Sequence, residues 1–187
     1  MTTLFVKNMV CNRCIMVIQG ELDKLGFSVQ DVKLGEVTLE KELTSDEKAK
    51  LEGALDLLGF EVIDDKKSRI IEKIKNVIIE LVHHQDNQTK INLSAILSDK
   101  LNHDYNYLSN LFSEVESTTI EKYLIAQKIE KVKELLVYDE LTLSEIAFRL
   151  NYSSVAYLSN QFKKVTGLSP SHFKQIREDK RKPLDEV

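Results

Sequence analysis

The pattern of apolar and polar residues changes near residue 65. Before that point, short segments alternate between a period of two and a helical period of about 3.6, which is typical of a small mixed α/β domain. This alternation predicts a βαββαβ order, and thus an α+β, ferredoxin-like domain over residues 1–65. The predicted strands cover residues 3–7, 29–33, 36–40 and 60–63, and the predicted helices cover residues 15–25 and 45–58.

After the polar stretch at residues 64–67, the apolar residues follow a helical period and no strand pattern returns. Two copies of one motif lie fifty residues apart, Tyr-Leu-Ser-Asn-Leu-Phe at 107–112 and Tyr-Leu-Ser-Asn-Gln-Phe at 157–162. Each copy follows a short apolar helix and an asparagine. The pattern predicts an all-α domain with two helix-turn-helix units over residues 68–177 and a charged, disordered tail over residues 178–187.

Local signals support the two turns. Asn102 and Asn151 stand where the chain needs a residue that tolerates a left-handed backbone conformation. The residue four positions before each asparagine is small, Ser98 or Ala147, as expected where two helices approach closely. The Thr-x-x-Glu sequence at 142–145 is a capping box that opens the second unit.

Composition excludes several classes of protein. A chain of 187 residues accommodates one large domain or two small ones. The apolar stretches are far shorter than the roughly 20 residues of a membrane span, and the N-terminus lacks the charge and apolar pattern of a signal peptide. We therefore expect a cytoplasmic protein with no membrane partner. The sequence has neither a Gly-rich phosphate loop nor a Ser/His/Asp signature, so we expect no enzyme.

The charge is distributed unevenly along the chain. Residues 1–65 hold seven basic and thirteen acidic residues, a net charge of −6. Residues 141–177 hold five basic residues and one acidic residue, a net charge of +4, whereas residues 89–140 carry −3. The overall charge of −4 argues weakly against a nucleic-acid partner, but its distribution predicts that the second helix-turn-helix unit holds phosphate more tightly than the first.

The two cysteines, Cys11 and Cys14, are candidate metal ligands. They are so close in sequence that a disulfide between them would close almost no loop and stabilise little. Their position at the start of the first helix is expected to lower the thiol pKa. Two soft thiolates without further ligands suit Cu(I) better than tetrahedral zinc. Thiol–disulfide exchange fits poorly because a nearby proline is lacking, and idle thiols are the remaining alternative.

Residues 1–65 resemble the heavy-metal-associated domain of copper chaperones and copper-pumping ATPases, on the basis of Met9-x-Cys11-x-x-Cys14 at the first strand–helix turn. The resemblance implies Cu(I) held linearly by Cys11 and Cys14, with Met9 packed beneath the loop, while other soft, thiophilic metal ions remain open. Asn8 stands where the family prefers glycine, and Phe60 where many members place tyrosine or lysine.

Residues 68–177 resemble the DNA-binding domain of AraC/XylS-type transcription regulators, which implies double-stranded DNA as a partner. The second unit, residues 143–170, is the clearer match, with Asn151 in place of the usual glycine. The first unit departs more, with Ser117 and Ile120 where the second unit has Gly167 and Pro170.

A helix that reads the major groove presents polar and small apolar side chains to base edges, while basic side chains bind phosphate. The candidate DNA-contacting residues are Asn106, Ser109 and Asn110 in the first unit, and Arg149, Val155, Ala156, Tyr157, Asn160, Lys163 and Lys164 in the second.

Together these features suggest a bacterial transcription regulator in which a copper-binding domain senses metal and the helical domain binds a promoter, with a homodimer as one possible assembly. Two alternatives stay open. In the first, the chain is a copper-trafficking module that passes Cu(I) to an ATPase or chaperone domain. In the second, it is a constitutive DNA-binding protein whose metal-like domain contacts a partner.

Overall fold

In residues 2–63 of the computed structural model, the strands and helices follow the predicted order. The elements are β1 (Thr2–Lys7), α1 (Asn12–Leu25), β2 (Val29–Lys33), β3 (Glu36–Leu39), α2 (Ser45–Asp56) and β4 (Glu61–Ile63). The sheet has the strand order β2-β3-β1-β4, and all neighbouring strands are antiparallel.

One face of the sheet packs against α1 and α2. Side chains alternate between the two faces of a strand, so Leu4 and Val6 of β1 point into this core while Phe5 points to the other face. The same core contains apolar residues of both helices, namely Ile18, Leu22, Leu51 and Leu55. Helix α1 ends where Gly26 adopts a left-handed conformation with φ 78°, as its sequence position predicts.

Side chains of α3 (Lys66–Ile79) contact the other face of the sheet at Phe5. The Arg69 guanidinium lies 4.8 Å and the Lys73 ammonium 5.0 Å from the centre of the Phe5 ring. Lys73 also forms an ion pair of 2.7 Å with Glu36 of β3. The sheet therefore has helices on both faces, and the sequence pattern had predicted only those of the first face.

The chain divides into two compact units, residues 1–76 and residues 77–187, which we call the sheet unit and the helical unit. The structure describes residues 2–63, 65–84 and 92–176. The predicted tail, residues 178–187, lies outside the described residues. The predicted domain limits, 1–65 and 68–177, remain predictions, and the division between the compact units falls within α3.

The helical unit is organised around one long helix, α6 (Ile120–Tyr138). Its apolar residues Ile129, Val132 and Leu136 are buried in one cluster with residues of the helices that follow. Among the described helices, none combines the length and the apolar character that a membrane crossing requires. After α3 the elements are a π-helical turn (Glu80–His84), α4 (Leu93–Leu101), α5 (Tyr105–Glu116), α6 (Ile120–Tyr138), α7 (Leu143–Arg149), α8 (Val155–Thr166) and α9 (Pro170–Ile176).

Two hydrogen bonds, the first partly buried and the second buried, join the π-helical turn to α6. His83 Nε2 donates to Gln127 Oε1 at 2.9 Å, and the Gln127 amide donates to the Tyr123 hydroxyl at 3.1 Å. Burial, aided by the nearby Lys131 charge, lowers the pKa of His83 to about 4. The imidazole is therefore neutral in the folded protein at neutral pH.

This lowered pKa predicts that acid destabilises the helical unit. The unfolded chain binds a proton near the ordinary histidine pKa of about 6.5, whereas folded His83 resists protonation until about pH 4. Between pH 7 and pH 5 the free energy of unfolding should fall by on the order of 2 kcal/mol through His83 alone. Denaturant unfolding at both pH values measures this difference.

His83→Gln should shrink that difference, because glutamine has no proton to gain in this range. His172→Gln, which replaces an exposed histidine, is the matched control and should keep the wild-type difference. An equal pH dependence in His83→Gln and wild type would contradict the assignment.

Candidate nucleic-acid interface and thiol site

The two helix-turn-helix units are α4–α5 and α7–α8, and both turns have the predicted geometry. Asn102 and Asn151 adopt left-handed conformations with φ 53° and 55°. In the second turn, the backbone N–H of Tyr152 donates to the carbonyl of Ala147 at 2.8 Å. The predicted capping box is also confirmed, since Glu145 accepts from the Thr142 backbone N–H and Thr142 Oγ1 accepts from that of Glu145. The sequence therefore located both turns.

Helix α8 is oriented by its buried side. Leu158 and Phe162 are fully buried. Because successive residues are about 100° apart around a helix, the opposite side is centred on Asn160. Val155 lies at the edge and packs half-buried against the core, which limits its reach. Four exposed residues accompany Asn160 on this surface, here called the α8 face, namely Ala156, Tyr157, Lys163 and Lys164.

Helix α5 repeats this arrangement fifty residues earlier, with Leu108 and Phe112 buried. Asn110 takes the place of Asn160, and Asn106 that of Ala156, both exposed, whereas Ser109 is half-buried. The positions of Lys163 and Lys164 are occupied by Ser113 and Glu114. The corresponding α5 face therefore lacks both cations and carries a carboxylate, and tighter phosphate binding by the second unit stays a prediction.

Tyr107 is a candidate DNA contact that the sequence analysis missed. Its side chain is 45% exposed, close to the 54% of its counterpart Tyr157. The two rings also have aromatic neighbours at similar distances, His103 at 5.2 Å and Tyr152 at 6.1 Å. The internal repeat itself could have revealed Tyr107, because it aligns the two tyrosines.

Contacts around Tyr152 brace the second unit. Its hydroxyl donates to Gln161 of α8 at 2.8 Å, and its ring lies 5.2 Å from the Lys128 ammonium of α6. That ammonium donates to the carbonyl of Leu150 at 2.9 Å, at the carboxyl end of α7, where a cation is favourable. Burial lowers the pKa of Lys128 and raises that of Tyr152.

Arg149, the other predicted phosphate contact, is the half-buried last residue of α7.

The thiol site lies at the start of α1. Cys11 is the N-cap residue and Cys14 lies in the first turn, where its backbone N–H donates to the carbonyl of Cys11 at 3.0 Å. The two Sγ atoms are 3.6 Å apart, and both cysteines are partly exposed and free. The structure therefore brings the two predicted ligands together on one accessible loop.

The electrostatics of this site differ from the expectation. Burial raises the pKa of Cys14, and the hydrogen bond and charge of Cys11 raise it further, while backbone hydrogen bonds at Val10 and Cys11 only partly oppose this. The expected lowering of the thiol pKa at the helix N-terminus is thus wrong for Cys14. Across residues 2–63, 65–84 and 92–176, no group of three or more His, Cys, Asp or Glu side chains could hold a metal ion. In the described residues, the thiols therefore form a two-donor site.

The loop before the cysteines is held from two sides. Met9 is 1% exposed, and its Sδ accepts from the Gly35 backbone N–H at 3.3 Å. Asn8 has a φ of 68°, and its side-chain amide donates to the carbonyl of Gly59 at 2.9 Å. Asparagine is one of the few residues besides glycine that adopts this conformation readily, which explains how Asn8 replaces glycine here.

The helical residues match a helix-turn-helix family model and proteins named as regulators. A family model described as a helix-turn-helix domain matches residues 97–176. The uncharacterised HTH-type transcriptional regulator YtdP of Bacillus subtilis (strain 168) is 25% identical over 115 residues, which are 60% of this chain and 15% of YtdP. The xylose operon regulatory protein of Escherichia coli (strain K12) is 29% identical over 72 residues, which are 38% of this chain and 18% of that protein.

A solved structure shares the fold. The C-terminal domain of AraT, a response regulator from Geobacillus stearothermophilus, superimposes with a TM-score of 0.51 and 28% identity, covering 63% of this chain and 95% of that domain. Residues 97–176 form an AraC-type helix-turn-helix DNA-binding domain. The resemblance inferred from the sequence is therefore confirmed for the AraC-type domain, although the chain spans less than a fifth of the two full-length relatives.

We expect Lys164→Ala to weaken binding of the AraC-type domain to all DNA sequences, because phosphate contacts carry no sequence information. The slope of log affinity against log salt should fall by about one for the lost contact. A salt titration with a random-sequence duplex measures it. The matched control is Glu114→Ala at the equivalent position of α5, which removes no cation. If Lys164→Ala and Glu114→Ala reduced the salt slope equally, the predicted stronger phosphate binding by the second unit would be contradicted. A second pair of variants, Lys163→Ala and Ser113→Ala, repeats the comparison.

We expect Asn160→Ala to relax base preference, because an asparagine at the centre of the α8 face can pair with adenine through two hydrogen bonds. On sites that the wild-type protein selects from random DNA, the free energy of binding should weaken by about 1–3 kcal/mol. On unselected DNA it should change little. Asn110→Ala provides the comparison in the first unit. Equal losses on selected and unselected DNA would assign Asn160 to the backbone instead.

Proposed function

We propose that this protein is a metal-responsive transcription regulator that binds promoter DNA through its AraC-type domain and Cu(I) through its sheet unit. The observation that carries the proposal is the pair of thiols, 3.6 Å apart on an accessible loop, in the same chain as a DNA-binding domain. The βαββαβ order and the strand order β2-β3-β1-β4 support a ferredoxin-like, heavy-metal-associated domain.

The donor set fits a soft ion of low coordination number. Thiolates select Cu(I) among the common metal ions, and a tetrahedral zinc site would need two more protein ligands. Cys11 and Cys14 would hold the ion through their Sγ atoms, which lie 3.6 Å apart, and would supply thiolate ligation to it.

Proton release accompanies this binding. A thiol must lose its proton to bind a metal ion, and burial makes that loss harder for Cys14. Affinity for Cu(I) should therefore decrease as pH falls. Binding of a cation by two thiolates alters the charge on an already acidic unit.

The proposal predicts that Cu(I) changes the affinity for DNA. An ion shifts an equilibrium only by its differential affinity for two states, and typical couplings correspond to roughly 5–150-fold. The measurement is binding to duplexes selected by the wild-type chain, with and without Cu(I), paired with a chelator competition for Cu(I) with and without DNA. Both arms should give the same factor, because coupling is reciprocal.

Cys11→Ser and Cys14→Ser are the matched variants, since each removes one of two ligands and changes only sulfur to oxygen. Both should nearly abolish Cu(I) binding and the Cu(I) effect, while DNA affinity without copper stays at the wild-type level. Unchanged Cu(I) affinity in both variants would reject the site. If Cu(I) leaves the DNA affinity of the wild type unchanged although both Cu(I) and DNA are shown to be bound, the trafficking or constitutive alternative is favoured.

A further inference from the structure

We propose that Met9, Gly35 and Asn76 form a contact chain that links the cysteine loop to α3, with Asn76 as a positioning residue at the far end of that chain. The inference rests on the proposed function only in its use of Cu(I) as one ligand of the loop. All three residues belong to the sheet unit.

The first link joins the cysteine loop to the turn between β2 and β3. Met9 lies two residues before Cys11, is almost completely buried, and accepts a hydrogen bond from the Gly35 N–H through its sulfur. The carbonyl of Gly35 in turn accepts from the Val6 N–H at 3.0 Å. A closely packed interior transmits displacement, so a shift of Met9 must be felt at Gly35.

The second link joins that turn to α3. Gly35 has a φ of +79°, and a Cβ atom added to it would lie 2.2 Å from Asn76 Nδ2. Only glycine allows the side chain of Asn76 to approach so closely. The same amide donates to the carbonyl of Leu34 at 3.3 Å, so Asn76 both fills the space above the turn and hydrogen-bonds to it.

The third link is the helix itself. Lys73, one turn before Asn76, is fixed to Glu36 by an ion pair, so two consecutive turns of α3 contact the same end of the β2–β3 hairpin. Asn76 is the last residue of the sheet unit, and α3 continues to Ile79. A shape change at the cysteines therefore has a packed route to the residue where the helical unit begins.

Hydrogen exchange of the amides of residues 66–79, in the full chain, tests this route. Two probes perturb the loop, Cu(I) and alkylation of both thiols by N-ethylmaleimide, and the second does not depend on metal binding. We expect either probe to change exchange in α3 of the wild type. In Asn76→Ala, the change in exchange rate should be at most half of that in the wild type. A chelator competition is the control and should give the wild-type Cu(I) affinity.

Two further variants sharpen the test. Met9→Leu keeps the apolar volume but removes the sulfur acceptor, so it should also reduce the change. Lys75→Ala alters the neighbouring residue of α3, which forms an ion pair with Glu72 of the same helix, and should respond as the wild type does. The inference is overturned if Asn76→Ala responds as fully as the wild type does, or if neither probe alters exchange in wild-type α3.

The DNA measurement separates this inference from the proposed function. If Cu(I) changes DNA affinity in the wild type, while exchange in Asn76→Ala responds to both probes as fully as in the wild type, the function stands and the contact chain is rejected. If alkylation changes exchange in wild-type α3 but not in Asn76→Ala, while Cu(I) leaves DNA affinity unchanged, the contact chain stands and the copper-responsive function is rejected.

Discussion

Burial of one side of a recognition helix determines what its other side can read. In α8 the fully buried pair Leu158 and Phe162 fixes the rotation of the helix about its axis, and this places Asn160 and the two lysines outward. Three features hold that helix in place against α6 and α7, namely the capping box, the left-handed Asn151 and the contacts of Tyr152. The chemistry of the α8 face thus follows from packing on the opposite side.

The same packing is present in α5, where Leu108 and Phe112 are buried, but the outward residues differ. The fold of a helix-turn-helix unit depends on its buried side and its turn, so the exposed side is free to change without loss of stability. The substitution of Ser113 and Glu114 for two lysines therefore alters electrostatics without altering the unit. Two units of one geometry can in this way acquire unequal affinity for phosphate.

The sequence predicted those features that depend on neighbours along the chain. The turns at Asn102 and Asn151 and the capping box at Thr142 were recognised because their signals lie within a few residues. Other features depend on contacts between distant segments. The Asn76–Leu34 hydrogen bond joins residues 42 positions apart, so the helical pattern of α3 could predict the helix but not its place on the sheet.

The thiol site shows the same division. The spacing of Cys11 and Cys14 was enough to name both as candidate ligands of one ion, and their sulfur atoms lie 3.6 Å apart because both belong to one turn of chain. The direction of the Cys14 pKa was predicted wrongly because the helix N-terminus was considered without the burial that accompanies it. Desolvation is set by the surrounding fold, and no local pattern records it.

The unequal faces of α5 and α8 make the two helix-turn-helix units electrostatically distinguishable. Glu114 and Lys164 occupy equivalent positions fifty residues apart, and their charges have opposite signs. A duplex that contacted both faces would be attracted more strongly by the α8 face, so its two half-sites would not be interchangeable.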